Sequence, residues 1–402
     1  MTNPFANKRI LLGVTGSIAA YKAADLASKL TQSGALVDVV LTESATKFVS
    51  PLTFQSVTGR KAYTDADLWG GEGHVTHIGL GHAADLVLIA PVSANTLAKL
   101  AHGMGDNLLS VTVLASNCPL VLAPAMDVGM FSHPATQANV ETLRQRSAIF
   151  IGPEEGHLAS GLVGLGRFVE PVRILGQVRY ILSRGGPLAG RKIVVTAGGT
   201  QEPIDPVRLI TNRSSGKQGY AVAQAALDAG AEVVLISAPT ALTPPIGATV
   251  VAVKTAAQMQ AAVLAETGDA HALIMAAAVA DFRPLPVSQK LKKETGIPKI
   301  ELEATADILA AVSAHKAETG FPKFTVGFAA ESQDLIKNAQ SKLERKKLDL
   351  IVANDILAKD AGFEVDTNRV VFLFPDGRSR ELPVQEKSEI AEAILQQIIA
   401  WG

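Results

Sequence analysis

Two α/β domains, each with a mainly parallel sheet covered by helices, are the fold class this chain predicts. Short apolar runs recur along it with helix-like segments between them, the pattern of strands buried on both faces. The pattern begins near the N-terminus and begins again after Ser183-Arg184-Gly185-Gly186-Pro187, whose glycines and proline mark a hinge or linker. The first strand of each half empties into a small-residue turn, Thr15-Gly16-Ser17 in one and Ala197-Gly198-Gly199-Thr200 in the other. Glycines there let the backbone turn tightly and approach a ligand closely.

In chain order, residues 9–14 read as a strand and 18–30 as a helix with Ala19, Ala23, Leu26, Ala27 and Leu30 on one face. Strands follow at 37–41, 86–90, 120–123 and 148–151, and a helix at 172–182 leads to the boundary. Beyond it, strands are expected at 193–195, 233–237, 250–253, 272–276, 325–328 and 350–353. Ser214-Ser215-Gly216-Lys217 opens a helix at 220–227, which puts hydroxyls and free amides at a helix N-terminus suited to an anion. The two halves share no sequence repeat. The interval 284–299 carries Lys290, Lys292, Lys293 and Lys299 among prolines and a glycine, and reads as an exposed mobile loop.

A chain of 402 residues is long enough for two domains with separate cores. Lys and Arg number 37 against 38 Asp and Glu, and no stretch interleaves basic residues with aromatics, which argues against nucleic acid as a partner. The single cysteine, Cys118, excludes an internal disulfide framework and a thiolate zinc cluster, and fits a reducing compartment. The opening residues lack the regions of a signal peptide, and no apolar run reaches the roughly 20 residues of a membrane span. A soluble cytoplasmic protein without a membrane partner is expected.

Ligands of parallel sheets bind at the carboxyl ends of strands. Those ends carry Thr15-Gly16-Ser17, Thr42-Glu43, Pro91-Val92-Ser93-Ala94-Asn95 and Pro124-Ala125-Met126-Asp127. Gly13-Val14-Thr15-Gly16-Ser17 departs from the dinucleotide fingerprint and suits a mononucleotide phosphate, or a plain tight connection. Gly79-Leu80-Gly81-His82-Ala83-Ala84 fits G-x-G-x-x-A but precedes a strand, so the match is spurious. Among His74, His77 and His82, one is a candidate general base and the other two face solvent in a loop. Asp281 ends the apolar run 272–280 at a strand terminus, where metal-phosphate coordination and helix capping are both open. The lysine loop is either a solvated surface or a cover for polyphosphate.

Together these motifs resemble a bacterial family of coenzyme A biosynthesis in which phosphopantothenoylcysteine decarboxylase is fused to phosphopantothenate-cysteine ligase. The likeness spans nearly the whole chain in the same domain order. In the first half it rests on GVTGSIAAYK, GHVTHIGLGHAADLVLIAPVSANTLAKLAHGMGDNLL and APAMDVGMF, similar to flavin-dependent cysteine decarboxylases. In the second it rests on AGGTQEPIDPVRLITNRSSGKQGYA, AAAVADFRP, QKLKK, VGFAAES and IVAND.

The resemblance implies two Rossmann-like three-layer domains, a flavoprotein decarboxylase over 1–186 and a ligase over 187–402. For the ligase it implies attack of 4'-phosphopantothenate on CTP, giving an acyl-cytidylate and pyrophosphate, and then displacement of CMP by the amine of cysteine. Lys290 is the residue expected to close over the site and assist cysteine, and Asn212 the one to hold the acyl-cytidylate. Gly198 and Gly199 would approach the nucleotide. Asp281, Ala306, Asp307, Ile308, Leu309, Phe328, Lys342 and Lys346 match positions that line CTP, with Mg2+ bridging its phosphates and its protein ligands unassigned. Thr305-Ala306 stands where the family has Asn-Pro, a change in backbone stiffness. For the decarboxylase the resemblance implies FMN, held by Gly16, Ser17, Thr42, Ser93 and Asn95, with His77 as the essential histidine. It also implies a homo-oligomer, with ligase dimers and a larger decarboxylase assembly.

In the decarboxylase half two positions depart from the family. Its Pro-Ala-Met-Asn motif appears as Pro124-Ala125-Met126-Asp127, and its proton-donating cysteine appears as Ser160 within Leu158-Ala159-Ser160-Gly161. An asparagine amide donates to a substrate carboxylate, whereas an ionised aspartate only accepts, and a serine hydroxyl is a far poorer acid than a thiol. A changed proton relay through Asp127 and Ser160 is the favoured expectation. Decarboxylation that stops at the enethiol, a ligase with an inactive flavin domain, and a non-catalytic flavoprotein regulator are the alternatives.

Overall fold

The computed structural model describes residues 3–69, 75–292, 299–331, 334–355 and 365–402. The chain divides between Leu182 and Ser183 into two compact units. Among the described residues no helix is long and apolar enough to cross a membrane.

The first unit contains β1 (Arg9–Val14), β2 (Leu36–Leu41), β3 (Ala62–Tyr63), β4 (Leu86–Val92), β5 (Leu120–Pro124) and β6 (Ile149–Phe150). They form one six-stranded sheet in the order β3-β2-β1-β4-β5-β6, parallel throughout. Successive side chains of a strand point to opposite faces, and both faces are covered. Ile10, Leu12 and Val14 join a core with Leu26, Leu30 and Phe54, while Leu11 turns the other way to Val40, Val87, Ile89 and Leu97. Each fully buried side chain of this size contributes about 2 kcal/mol, so a strand with two apolar faces has no reason to alternate. The first helix, Ala20–Gln32, starts later than expected because residues 15–17 form the preceding turn, with Ala20 N–H donating to the Ser17 carbonyl. Its buried face is the one the spacing predicts. A hairpin that the sequence reading lacked, β7 (Glu154–His157) and β8 (Val163–Arg167), follows the sheet.

The second unit contains β9 (Lys192–Ala197), β10 (Gln201–Pro203), β11 (Leu209–Thr211), β12 (Glu232–Ser237), β13 (Thr249–Ala252), β14 (Ala272–Met275), β15 (Phe282–Pro284), β16 (Leu302–Ala304), β17 (Phe324–Glu331), β18 (Leu350–Asp355), β19 (Thr367–Leu373) and β20 (Ser379–Glu386). Its eight-stranded sheet runs β13-β12-β9-β14-β17-β18-β19-β20. The pairs from β13 to β18 are parallel and the last two strands are antiparallel. β10 pairs with β11, and β15 with β16, as small antiparallel ribbons. Within the Gly185-Gly186-Pro187 stretch Gly186 is packed while its neighbours are exposed: a Cβ on Gly186 would lie 2.4 Å from the Ala229 carbonyl oxygen, and the following Leu188 is buried.

In each sheet the chain winds outward from its first strand and then returns to that strand's other side. The reversal falls between β1 and β4 in the first unit and between β9 and β14 in the second. The crevice outside the strand ends at such a point is where open α/β sheets bind ligands.

Candidate functional site

At the first reversal, Thr15 joins the strand ends. Its hydroxyl donates to the Pro91 carbonyl at 2.9 Å and accepts from the Ser93 N–H at 2.9 Å. Ser93 Oγ caps the helix Ala94–His102 by accepting from Thr96 N–H, and Thr42 Oγ1 caps Glu43–Thr46 by accepting from Ala45 N–H. Gly16 is required because a Cβ there would sit 2.5 Å from Ser44 Cβ. Gly16, Ser17, Thr42, Ser93 and Asn95 therefore share the carboxyl edge of β1, β2 and β4. Two capped helix N-termini and a side-chain-free approach at Gly16 fit the phosphate end of a mononucleotide.

His77 lies on the helix Thr76–Ala83, and its Nδ1 is buried without a hydrogen-bond partner among the described residues. A buried polar nitrogen of this kind calls for a partner from outside the chain. His82 is exposed, but on the same helix rather than in a loop, and His74 lies outside the described residues. The G-x-G-x-x-A stretch belongs to this helix too. Gly81 serves packing, since a Cβ would fall 2.9 Å from the Thr112 carbonyl oxygen. No group of three or more His, Cys, Asp or Glu able to hold a metal occurs among the described residues.

Asp127 caps the short helix Val128–Ser132, with Oδ1 accepting from Gly129 N–H at 2.9 Å. Its Oδ2 accepts from Ser160 Oγ at 2.6 Å. Ser160 occupies the turn between β7 and β8, and the hairpin lies across the segment that carries Asp127. Met126 N–H donates to the Gly166 carbonyl at 3.1 Å, and a Cβ on Gly164 would fall 2.8 Å from Val128 Cγ2. Glycines at alternate positions, Gly164 and Gly166, are the sequence signal that could have revealed this close crossing. The Ser160 hydroxyl and then the Gly129 N–H hold the Asp127 carboxyl below its ordinary range.

The second reversal opens into a cleft of about 800 Å³. Asn212, Asp281, Ala306, Asp307, Ile308, Leu309, Phe328, Lys342 and Lys346 all line it. Gly198, Gly199 and Lys290 do not. The glycines stand behind the wall: Gly198 has φ +81°, and a Cβ on Gly199 would lie 3.0 Å from the Asn212 carbonyl oxygen. Lys290 is exposed on its loop, whose residues 293–298, Lys293 among them, lie outside the described residues.

Asp281 does not end a strand, because β14 stops at Met275. Residues 276–281 instead run on beside the end of β9 as a wall, joined to it by an isolated parallel bridge between Gly199 and Ala278. Backbone bonds from Ala278 N–H to the Gly198 carbonyl and from Thr200 N–H to the Ala278 carbonyl hold it there, and hydroxyls flank them, Thr196 Oγ1 accepting from Ala277 N–H at 3.1 Å and Thr200 Oγ1 from Ala280 N–H at 3.0 Å. Asn212 Nδ2 donates to the Ala278 carbonyl at 3.0 Å, and Thr305 Oγ1 to the Ala280 carbonyl at 2.6 Å. Thr305, in the dipeptide that departs from the family, thus pins the wall by its side chain.

Basic side chains dominate the lining: Arg213, Lys217, Lys342, Arg345, Lys346 and Lys387 face the cleft with Asp281 and Asp307. Lys346 pairs with Asp307, whose Oδ1 also caps the helix Ile308–Thr319, and Lys342 Nζ donates to the Phe328 carbonyl at 2.8 Å. The helix Lys217–Asp228 points its N-terminus into the same space, with Gly216 as cap at φ +79°. Sequence reasoning missed Lys387 and Asn368, both buried, which arrive from the antiparallel end of the sheet. No local motif announces either. Burial, and then the charge of Lys217, push the Lys387 ammonium down, with Asp366 opposing.

Comparison with known proteins covers both units. The flavoprotein family pattern matches residues 2–182, and that of the DNA/pantothenate metabolism flavoprotein C-terminal domain matches 188–401. The coenzyme A biosynthesis bifunctional protein CoaBC of Bacillus subtilis (strain 168) is 47% identical, over 98% of this chain and 97% of that protein. Its counterpart in Mycobacterium tuberculosis (strain H37Rv) is 44% identical, over 98% of this chain and 97% of that protein. Among solved structures, the C-terminal domain of a CoaBC protein is 41% identical, covering 54% of this chain and 97% of that one, with a TM-score of 0.46. With identity at this level along nearly its full length, the chain belongs to the family of bifunctional coenzyme A biosynthesis proteins, which join phosphopantothenate-cysteine ligase to FMN-dependent phosphopantothenoylcysteine decarboxylase.

Proposed function

We propose that the cleft of the second unit binds CTP and runs the ligation through an acyl-cytidylate, and that residues 1–186 and 187–402 carry decarboxylation and ligation respectively. The carrying observation is the cationic lining of one cleft beside a helix N-terminus, which suits a triphosphate and a phosphorylated acid together. A carboxylate oxygen of 4'-phosphopantothenate attacks the α-phosphorus of CTP, and the bond to pyrophosphate breaks. The amine of cysteine then attacks the acyl carbon, CMP leaves with the bonding electrons, and the amine loses its proton. Lys342 and Lys346 stabilise phosphate charge, Asn212 orients the acyl intermediate, and Lys290 assists the cysteine step from its loop. Gly198 and Gly199 act by letting the wall and the 212–216 loop come together. Asp281 is the cleft carboxylate that would help hold Mg2+, which would supply positive charge against the triphosphate.

In the first unit, FMN when bound supplies hydride acceptance from the cysteinyl carbon and its return after CO2 is lost. The chain's own groups hold and protonate. Gly16, Ser17, Thr42, Ser93 and Asn95 cradle the phosphate end, and His77 presents an imidazole whose Nδ1 awaits a partner. Ser160 holds the proton nearest Asp127, which serves as the changed relay. The protein works in the cytoplasm as a homo-oligomer, with ligase dimers and a larger decarboxylase assembly.

Mass spectrometry of products tests both halves at once. With CTP, 4'-phosphopantothenate and cysteine, CMP, pyrophosphate and 4'-phosphopantetheine should form, and nucleotide cleavage should require phosphopantothenate. Equal turnover with ATP would overturn the CTP assignment, and accumulation of phosphopantothenoylcysteine with FMN bound would overturn the relay.

A further inference from the structure

Asp205 is a buried carboxylate to which the chemistry above gives no task. Its side chain has no solvent exposure, and it sits in the connection between β10 and β11. Both oxygens are committed, and to different ends. Oδ1 accepts from the backbone N–H groups of Val207 and Arg208 at 2.8 and 2.7 Å, which shapes its own turn. Oδ2 accepts from Arg208 Nη1 at 3.2 Å and from the Leu291 N–H at 3.1 Å, 86 residues along the chain. Leu291 directly follows Lys290. A second tie, from Val287 N–H to the Ile204 carbonyl at 3.0 Å, lays the same segment on the same turn.

A carboxylate that only closed its turn would need Oδ1 alone. The second oxygen binds a distant backbone amide with the strength of a charged acceptor in a site closed to water. We propose that Asp205 is a positioning residue for the ligation step: Oδ2 fixes the backbone at Leu291 and so sets the direction from which Lys290 reaches the acyl-nucleotide. This rests on the reading that Lys290 assists cysteine.

Asp205→Asn in the full chain separates the two oxygens. The amide keeps a carbonyl oxygen for Val207 and Arg208, but sets an NH2 against the Leu291 N–H and the Arg208 guanidinium, donor against donor. Rapid-quench kinetics would follow pyrophosphate release without cysteine, and consumption of the acyl-nucleotide after cysteine is added. Pyrophosphate release should stay within about twofold of the parent while the cysteine step slows about tenfold or more, the scale of one charge-assisted hydrogen bond. Leu291→Pro removes the same bond from the donor side, and carries the same comparison if Asp205→Asn does not fold. The double variant should be no slower than the slower single one. Equal slowing of both steps, or additive losses in the double variant, would overturn the proposal. Lys290→Gln keeps the two ideas apart. If it slows the cysteine step and Asp205→Asn does not, the positioning role alone fails; if it leaves that step unchanged, the reading of Lys290 fails and the positioning role with it.

Discussion

Ser160 donates its hydroxyl proton to Oδ2 of Asp127 at 2.6 Å, joining residues 33 apart in sequence. Asp127 and Ser160, the two positions at which the first half reads as departing from the family's decarboxylase motifs, thus form one contact. Removing the donor in Ser160→Ala should let the Asp127 pKa rise toward the ordinary carboxyl value. Because the folded pKa is depressed, the contact contributes above the ordinary carboxyl range and is lost as pH falls through the folded value. Carbon-detected NMR titration of Asp127 in the two proteins reads this directly, and superimposable curves would refute it.

Ser160→Cys offers a stronger acid at the same place. Complete decarboxylation to 4'-phosphopantetheine should be preserved or raised, measured by CO2 release and product mass. Total loss of activity with flavin still bound would remove Ser160 from the relay.

Gly16→Ala should separate the ends of β1 and β2, because its Cβ would meet Ser44 Cβ at 2.5 Å. Flavin affinity should fall about tenfold or more, roughly 1.4 kcal/mol, by absorbance titration. Ligation, which the proposed function assigns to the other unit, is the internal control and should be unchanged.

Lys346→Met removes a cation from the cleft and leaves Asp307 without its ion-pair partner there. The KM for CTP should rise about tenfold, while the KM for cysteine stays within about twofold. A KM for CTP that does not move would take Lys346 out of the nucleotide site.

His271 gives the second unit an acid limit. Its Nε2 is buried without a hydrogen-bond partner among the described residues, and its ring meets Phe324 edge-on at 5.3 Å. Burial, and then the charge of Arg191, hold its pKa below the ordinary value. The unfolded chain takes up this proton near pH 6.5 and the folded unit only at lower pH, so this contribution is full above about pH 6.5 and falls below it. His271→Phe should flatten the loss of stability on acidification. Urea unfolding in a Trp69→Phe background would show it, with Trp401, stacked on Phe324 at 5.0 Å, as the reporter. Identical pH profiles in the two proteins would sink the idea.

Local physics made much of the architecture legible. Runs such as 10–14, 86–90 and 193–195 are apolar on both faces, so their burial does not depend on which neighbours cover them. The turns at Gly16 and Gly198 were equally readable, since a missing Cβ is a local property. Asp281 was misplaced because the alanines before it look like a strand, whereas beyond Met275 the segment keeps only an isolated bridge to Gly199, and the hydroxyls of Thr196 and Thr200, distant in sequence, take the N–H groups of Ala277 and Ala280. His82 was misplaced because a glycine-rich helix face has no apolar period until its neighbour is known.

The amino-acid sequence by itself determined the two α/β units, the strand ends that would carry a ligand, and nine of the residues found lining the second cleft. It also exposed the two substitutions, Asp127 and Ser160. Only the tertiary structure decided that these two share a hydrogen bond, that Lys387 and Asn368 enter the cleft, that Gly198 and Gly199 stand behind its wall, and that Asp205 ties the Lys290 segment to the β10–β11 turn. The division has one physical cause. Propensity, burial pattern and backbone freedom act over a few residues and are written locally, whereas a hydrogen bond between residues 33 or 86 apart depends on where the whole sheet brings their backbones.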